Sequence, residues 1–230
     1  RAAALRVLSG LEVGRLRESP SVPYEQDEVT RVIEDAIDDG IFGRVERWAL
    51  GELREWILAD TTDVAAIAEV GRNLPPEAVA GLASLMSNLD LVIAARKLRV
   101  VVRCNDTLGL PGRIASRLQP NHPLDDVAGI LAAVREGLAY GNGDAVIGVN
   151  PATESVDNVT AILQAVKGLM RRYAVPTQNC VLAHVTLQLR ALERGAPIDL
   201  VFQSIAGSEG ANRNFGISVA LLDEAYDMAK

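Results

Sequence analysis

A chain of 230 residues with 49% hydrophobic and 23% charged residues has the balance of a globular protein with enough apolar mass for a core. Its formal net charge of −7, with both signs interleaved along the chain, excludes the clustered basic footprint that nucleic-acid phosphates require. The apolar runs are short and broken by charge, which excludes a transmembrane span.

Aromatic residues make up only 4%, so the core must be built from Val, Leu, Ile and Ala. Cys104 and Cys180 stand apart, with no CxxC spacing and only two histidines in the chain. Neither a disulfide framework nor a zinc site is expected, and a reducing compartment is. The opening residues carry no basic segment followed by an apolar stretch, so no signal peptide is expected. The chain begins at Arg1 and ends at Lys230 inside a helical pattern, which reads as a piece of a longer protein.

Residues 1–98 predict helices joined by short polar turns. In Glu25–Asp38, Val29, Val32, Ile33, Ala36 and Ile37 recur at helical spacing, with acidic residues early and Gly40 as the stop. Leu53, Trp56 and Ile57 form an apolar stripe in a helix over Leu50–Leu58, and Pro75-Pro76 opens another over Glu77–Leu89.

The pattern changes at residue 99. Four short aliphatic runs, Val100–Val102, Ala145–Val149, Cys180–Val185 and Leu200–Phe202, suit parallel strands buried on both faces. Helical patterns over Val127–Leu138, Val156–Tyr173, Leu187–Arg194 and Ile217–Met228 follow them in alternation. This rhythm predicts an α/β protein. A dinucleotide fold would carry G-x-G-x-x-G at the first turn, and Asn105–Arg113 does not. The expectation is therefore a partial (β/α)8 barrel of about four βα units in residues 99–230, behind a helical lead-in of residues 1–98. That is about half of the roughly 250 residues of a complete barrel, so two sheet edges would be open.

In such a fold the chemistry sits at the carboxyl ends of the strands. Arg117 and Gln119 lie two apart in a long segment after the first run and would point the same way if extended. A guanidinium and an amide together can hold a small polar molecule; Arg117 could equally salt-bridge to a neighbouring loop. Asn150 precedes Pro151 and would project from the second strand end, or simply form a turn. His184, alone among apolar residues, fits a hydrogen-bonded core residue better than a catalyst. Gln203, Ser204 and the small residues to Gly210 allow a close approach or a tight turn. No G-x-S-x-G elbow and no paired carboxylates appear at these ends.

Five motifs carry a resemblance: Gly109–Gly112 with Ser116–Asn121, Gly143–Pro151, Pro176–Gln178, Cys180–Thr186 and Val201–Ile205. With Val29–Ile33 and Glu52–Glu55 upstream, they are similar in content and order to the ethanolamine ammonia-lyase large-subunit family, across essentially the whole chain. The resemblance implies a lyase that uses adenosylcobalamin radical chemistry to turn ethanolamine into acetaldehyde and ammonia. It places Arg117 and Asn150 on the substrate hydroxyl and Gln119 on its amine, and it sets Pro151, Gln203 and Ser204 against the cobalamin. Partners implied are a small subunit and further copies of the large subunit, with no nucleic acid and no membrane, in the cytoplasm or a bacterial microcompartment. The carboxylates that hold the amine lie on later strands, so no catalytic residue is assigned here and these residues alone are expected to be inactive. Leu187 and Arg190 depart from the family pattern, where Thr and Glu are commoner. The competing readings are another barrel lyase or isomerase acting on a small amine or diol, and a non-catalytic assembly relative.

Overall fold

The computed structural model describes residues 2–98 and 100–230. It divides into two compact units, one of Arg1–Arg99 with Ala206–Val219 and one of Val100–Ile205 with Ala220–Lys230.

The first unit is helical. Its elements are α1 (Ala2–Ser9), α2 (Val13–Arg17), a 3-10 turn at Tyr24–Gln26, α3 (Glu28–Asp35), α4 (Asp39–Phe42), α5 (Leu50–Leu58), α6 (Val64–Arg72), α7 (Pro76–Leu85) and α8 (Asn88–Lys97). Leu50, Leu53 and Ile57 bury one stripe of α5 against Ile67 and Val70 of α6 and Leu82 of α7, an aliphatic core as the composition requires. Two expectations fail here. Gly40 does not stop a helix but lies inside α4, whose start is fixed by the Asp38 carboxylate accepting from Gly40 N and Ile41 N. The single helix expected over 77–89 is two, because Ser87 caps a new start by accepting from Asp90 N, and Asp90 returns the bond to Ser87 N.

The second unit opens with β1 (Val102–Arg103) and β2 (Thr107–Leu108), an antiparallel hairpin. Val100, Val101 and Val102 are at least half exposed or nearly so (73%, 50% and 49%), so this run is not the buried parallel strand its composition suggested. Gly109, at φ +86, is needed because a Cβ there would lie 1.9 Å from the Val100 carbonyl oxygen. The first parallel strand is instead β3 (Arg117–Leu118), inside the segment read as a loop. Then follow α9 (Val127–Ala139), β4 (Val146–Val149), α10 (Val156–Tyr173), β5 (Asn179–Val181) and α11 (Val185–Glu193). The sheet order is β3-β4-β5, all parallel, with Leu118 beside Ile147, Ile147 beside Asn179 and Gly148 beside Cys180.

The expected fourth strand at Leu200–Phe202 does not form. Asn179 O accepts from Leu200 N at 3.2 Å, but the backbone of Phe202 is satisfied by a side chain. Gln188, fully buried on α11, accepts from Phe202 N at 3.0 Å and donates to Phe202 O at 2.6 Å. The described residues thus form an α/β arrangement with a three-stranded parallel sheet and no closed barrel. The chain ends with α12 (Glu209–Asn214) in the first unit and α13 (Val219–Met228).

Asp27, 2% exposed, ties α3 to α12. One carboxylate oxygen accepts from Thr30 N and Thr30 Oγ1, the other from Glu209 N at 2.6 Å, while Glu209 accepts from Glu28 N at 2.8 Å and pairs with Arg213. Each helix start therefore receives a carboxylate where its dipole favours one. Burial works against ionisation of Asp27, and the N–H donors of Thr30 and Glu209 outweigh it, holding the carboxyl below its ordinary value. A depressed carboxyl stabilises fully above the unfolded value of about 4 and loses that contribution as pH falls through the folded value. Asp27→Ala should cost roughly 1–3 kcal/mol in urea melts of the intact protein at neutral pH. It should also remove part of the acid sensitivity below about pH 4. A change within about 0.5 kcal/mol would refute the double cap.

Candidate functional site

Side chains alternate along a strand, and in a parallel sheet residues in register share a face. Leu118, Ile147, Val149 and Val181 take the face that packs on α9, α10 and α11, against Val134, Ile162, Val166 and Leu163. Gly137 of α9 makes room for Leu118, since a Cβ there would meet Leu118 Cδ1 at 2.4 Å. Arg117, Gly148 and Cys180 are thereby committed to the opposite face. Gln119 and Asn150 each lie one residue past the end of β3 and of β4.

The Arg117 guanidinium crosses the neighbouring strand. It lies against Gly148, and its Cζ is 5.4 Å from the centre of the Phe202 ring. Among the described residues it rests on this ring and this glycine rather than on a carboxylate, so the salt-bridge reading of Arg117 has no partner here. Cys180 sits beneath it, 3% exposed, and burial pushes its thiol up despite the nearby positive charge. Such a thiol is a poor nucleophile. Gln119 is exposed, and its carbonyl accepts from Asn121 N. Asn150 is half-buried and is held at its backbone, where its N–H donates to Asn121 Oδ1 at 2.8 Å. Its own Oδ1 is buried and has no hydrogen-bond partner among the described residues. A buried acceptor in that state costs roughly 1–3 kcal/mol unless a donor arrives.

The other residues singled out in the sequence lie at the same ends of the sheet. Pro151 is half-buried directly after Asn150. Gln203 is engaged at both ends, its Oε1 accepting from Val185 N at 2.9 Å and its Nε2 donating to Ser204 O at 2.9 Å. Ser204 and Ile205 are exposed. His184 caps α11, with Nδ1 accepting from Thr186 N. Among the described residues no group of three or more His, Cys, Asp or Glu side chains is placed to hold a metal ion, and no helix is long and apolar enough to cross a membrane.

The residue that sets the loop after β4 is one that no sequence pattern marked. Asp125, 7% exposed and at φ +51, accepts from Ala152 N at 2.8 Å, Thr153 N at 2.7 Å and Asn158 Nδ2 at 2.8 Å. Burial opposes its ionisation, and these donors together with the His122 charge outweigh that and lower the carboxyl. With Asn121 on the Asn150 N–H, the loop after β3 thus grips the segment that carries Asn150 and Pro151. The neighbouring Asp126 is an ordinary helix cap, accepting from Gly129 N, and the pair Asp125-Asp126 looks in sequence like a single acidic helix start. Asp125→Ala would take the acceptor from the part-buried bonds of Ala152 N, Thr153 N and Asn158 Nδ2 and place an alanine in the left-handed region. It should destabilise by at least about 1–3 kcal/mol. Asp125→Asn keeps the shape but meets two N–H groups with one oxygen. It should lose the stability that wild type gains between its depressed folded value and about pH 4. Chemical denaturation of both variants across that range checks this; parallel pH profiles for wild type and Asp125→Asn would contradict it.

The matches to known proteins agree with the motif pattern. The family model for "Ethanolamine ammonia lyase large subunit (EutB)" matches residues 1–230. The ethanolamine ammonia-lyase large subunit of Salmonella typhimurium is 47% identical over 225 residues, covering 98% of this chain and 50% of that protein. That of Escherichia coli is 46% identical over 225 residues with the same coverage. The chain therefore spans about half the length of the curated relatives it matches. With its full length matched and nearly half its residues identical, the chain belongs to the ethanolamine ammonia-lyase large-subunit family.

Proposed function

We propose that this chain supplies part of the substrate and cofactor sites of an adenosylcobalamin-dependent ethanolamine ammonia-lyase. In this reading residues 1–98 are a helical lead-in and residues 99–230 carry the first part of a (β/α)8 barrel. Helices on one face of the parallel sheet, with Arg117, Val146, Gly148 and Cys180 on the other, support a barrel wall better than an open doubly wound sheet, which has helices on both faces. The remaining strands, a small subunit and further large subunits complete the enzyme, in the cytoplasm or within a bacterial microcompartment.

The observation that carries the substrate reading is the buried Oδ1 of Asn150, one residue past the end of β4 and without a hydrogen-bond partner among the described residues. In this reading a hydroxyl group would serve both Asn150 and Arg117, its oxygen accepting from Arg117 and its O–H donating to Asn150 Oδ1. Gln119 is exposed one residue past the end of β3, and its amide oxygen can accept from an ammonium. An ammonium still needs a carboxylate nearby, and later strands supply it.

The residues assigned to the corrin fit such a group. Ser204 and Ile205 are exposed beside Gln203, whose side chain is already occupied and fixes the Ser204 carbonyl. A broad disc fringed with amides can lie on Pro151 and Ile205 and hydrogen-bond the Ser204 hydroxyl, with Gln203 holding that surface in place. When bound, adenosylcobalamin supplies the radical chemistry. This chain's residues bind the substrate, orient its carbons and keep water out.

Arg117→Ala in the complete enzyme should lower kcat/KM by about one to two orders of magnitude, since a charge-assisted bond is worth roughly 1.5–3 kcal/mol. Arg117→Lys should recover only part, because the charge returns without the planar fork. Thermal melts of both should match wild type closely. Normal kcat/KM with a lowered melting temperature would remove Arg117 from the substrate site.

A further inference from the structure

Gly148 lies in the interior of β4 with no positive φ, so its backbone conformation is open to any residue. A glycine in such a place weakens a strand and commonly marks a close approach by something else. Here that something is identified. A Cβ at position 148 would meet Arg117 Nη2 at 2.8 Å, Cys180 Sγ at 3.0 Å and Arg117 Cζ at 3.2 Å. The missing side chain leaves a shelf on which the guanidinium crosses β4. The Phe202 ring, 5.4 Å from the guanidinium carbon, bounds it on another side.

We infer that Gly148 is a positioning residue for the substrate site, acting through Arg117. The inference rests on the reading of Arg117 as the hydroxyl-binding group. A methyl at 148 cannot be relieved towards Cys180, because the sulfur is already at 3.0 Å and buried. The movable partner is the far end of the Arg117 side chain, which costs the fold little. The strand should therefore survive Gly148→Ala, while the guanidinium is lifted off its shelf on Gly148 and away from the Phe202 ring. A displacement of about 1 Å is enough to matter to turnover.

The test uses the complete enzyme with Gly148→Ala, Arg117→Ala and the double variant. Gly148→Ala should fold with a modestly lowered melting temperature, since the 3.0 Å contact with the buried Cys180 sulfur remains, and should lose about tenfold or more in kcat/KM. The double variant should be no worse than Arg117→Ala alone, because the glycine acts only through the arginine. A crystal structure of Gly148→Ala should show the guanidinium displaced by about 1 Å. Should Gly148→Ala fail to fold, Gly148→Ala with Cys180→Ala, which removes the sulfur, carries the same comparison. Wild-type kinetics for Gly148→Ala, an unmoved guanidinium, or losses that multiply in the double variant would each overturn the inference while leaving Arg117 in the site. Wild-type kinetics for Arg117→Ala would remove the reading of Arg117 and this inference with it.

Discussion

Alternation along three short parallel strands is the constraint on which the second unit depends. Leu118, Ile147, Val149 and Val181 have a helical layer to fill, and the period of two leaves their neighbours no choice of side. Arg117, Gly148 and Cys180 go to the other face because the apolar residues between them go under α9, α10 and α11. A shift of one residue in register would bury the guanidinium among aliphatic side chains and expose Ile147. The energy that holds Arg117 in place is thus mostly burial of its neighbours, at roughly 1.5–3 kcal/mol for each large aliphatic residue.

What alternation cannot set is the backbone beyond the strand ends, and there single polar side chains take over. Asp125 gathers two N–H groups and an amide from the loop after β4, Asn121 holds the Asn150 N–H, and Gln188 occupies both polar groups of Phe202. Asp125 and Gln188 are buried, where an unpaired backbone group is costly and a paired one correspondingly directive, while Asn121 acts from an exposed position. Asp27 does the same between α3 and α12 in the first unit. The carboxylates among these staples keep depressed pKa values, against the opposing effect of burial, chiefly because hydrogen-bond donors surround them.

This division explains what could be read in the sequence. Helices over Leu50–Leu58 and Val156–Tyr173 were legible to the residue, since periodicity and capping are local signals. The strand within Ala145–Val149 was legible because it is uniformly apolar. β3 was not, because Arg117-Leu118-Gln119 alternates and offers a single apolar side chain, which composition cannot tell from a loop. Val100–Val102 misled in the opposite sense, its apolar residues lying in an exposed hairpin. Leu200–Phe202 failed because a glutamine 14 residues earlier replaces a strand partner, a non-local event. Arg117, Gln119 and Asn150 were singled out from their places at expected strand ends and from motif resemblance; Gly148 and Asp125 were not, since what marks them is the approach of other residues.

The surroundings of Arg117 also bear on what it can bind. A carboxylate beside it would form a charge-assisted pair worth roughly 1.5–3 kcal/mol and occupy its forked donors. A neutral hydroxyl could not compete well with such a partner. The Phe202 ring instead offers attraction of about 0.5–1 kcal/mol to the guanidinium while making no claim on its N–H groups. The glycine shelf contributes closeness without contributing an acceptor. The guanidinium is therefore held by contacts that leave its hydrogen-bonding edge open. Asn150 adds a constraint of another kind: its backbone is fixed by Asn121, while its buried Oδ1 has no hydrogen-bond partner among the described residues. Under the proposed reading, a group that can accept from Arg117 and donate to Asn150, as a hydroxyl can, would suit the two together.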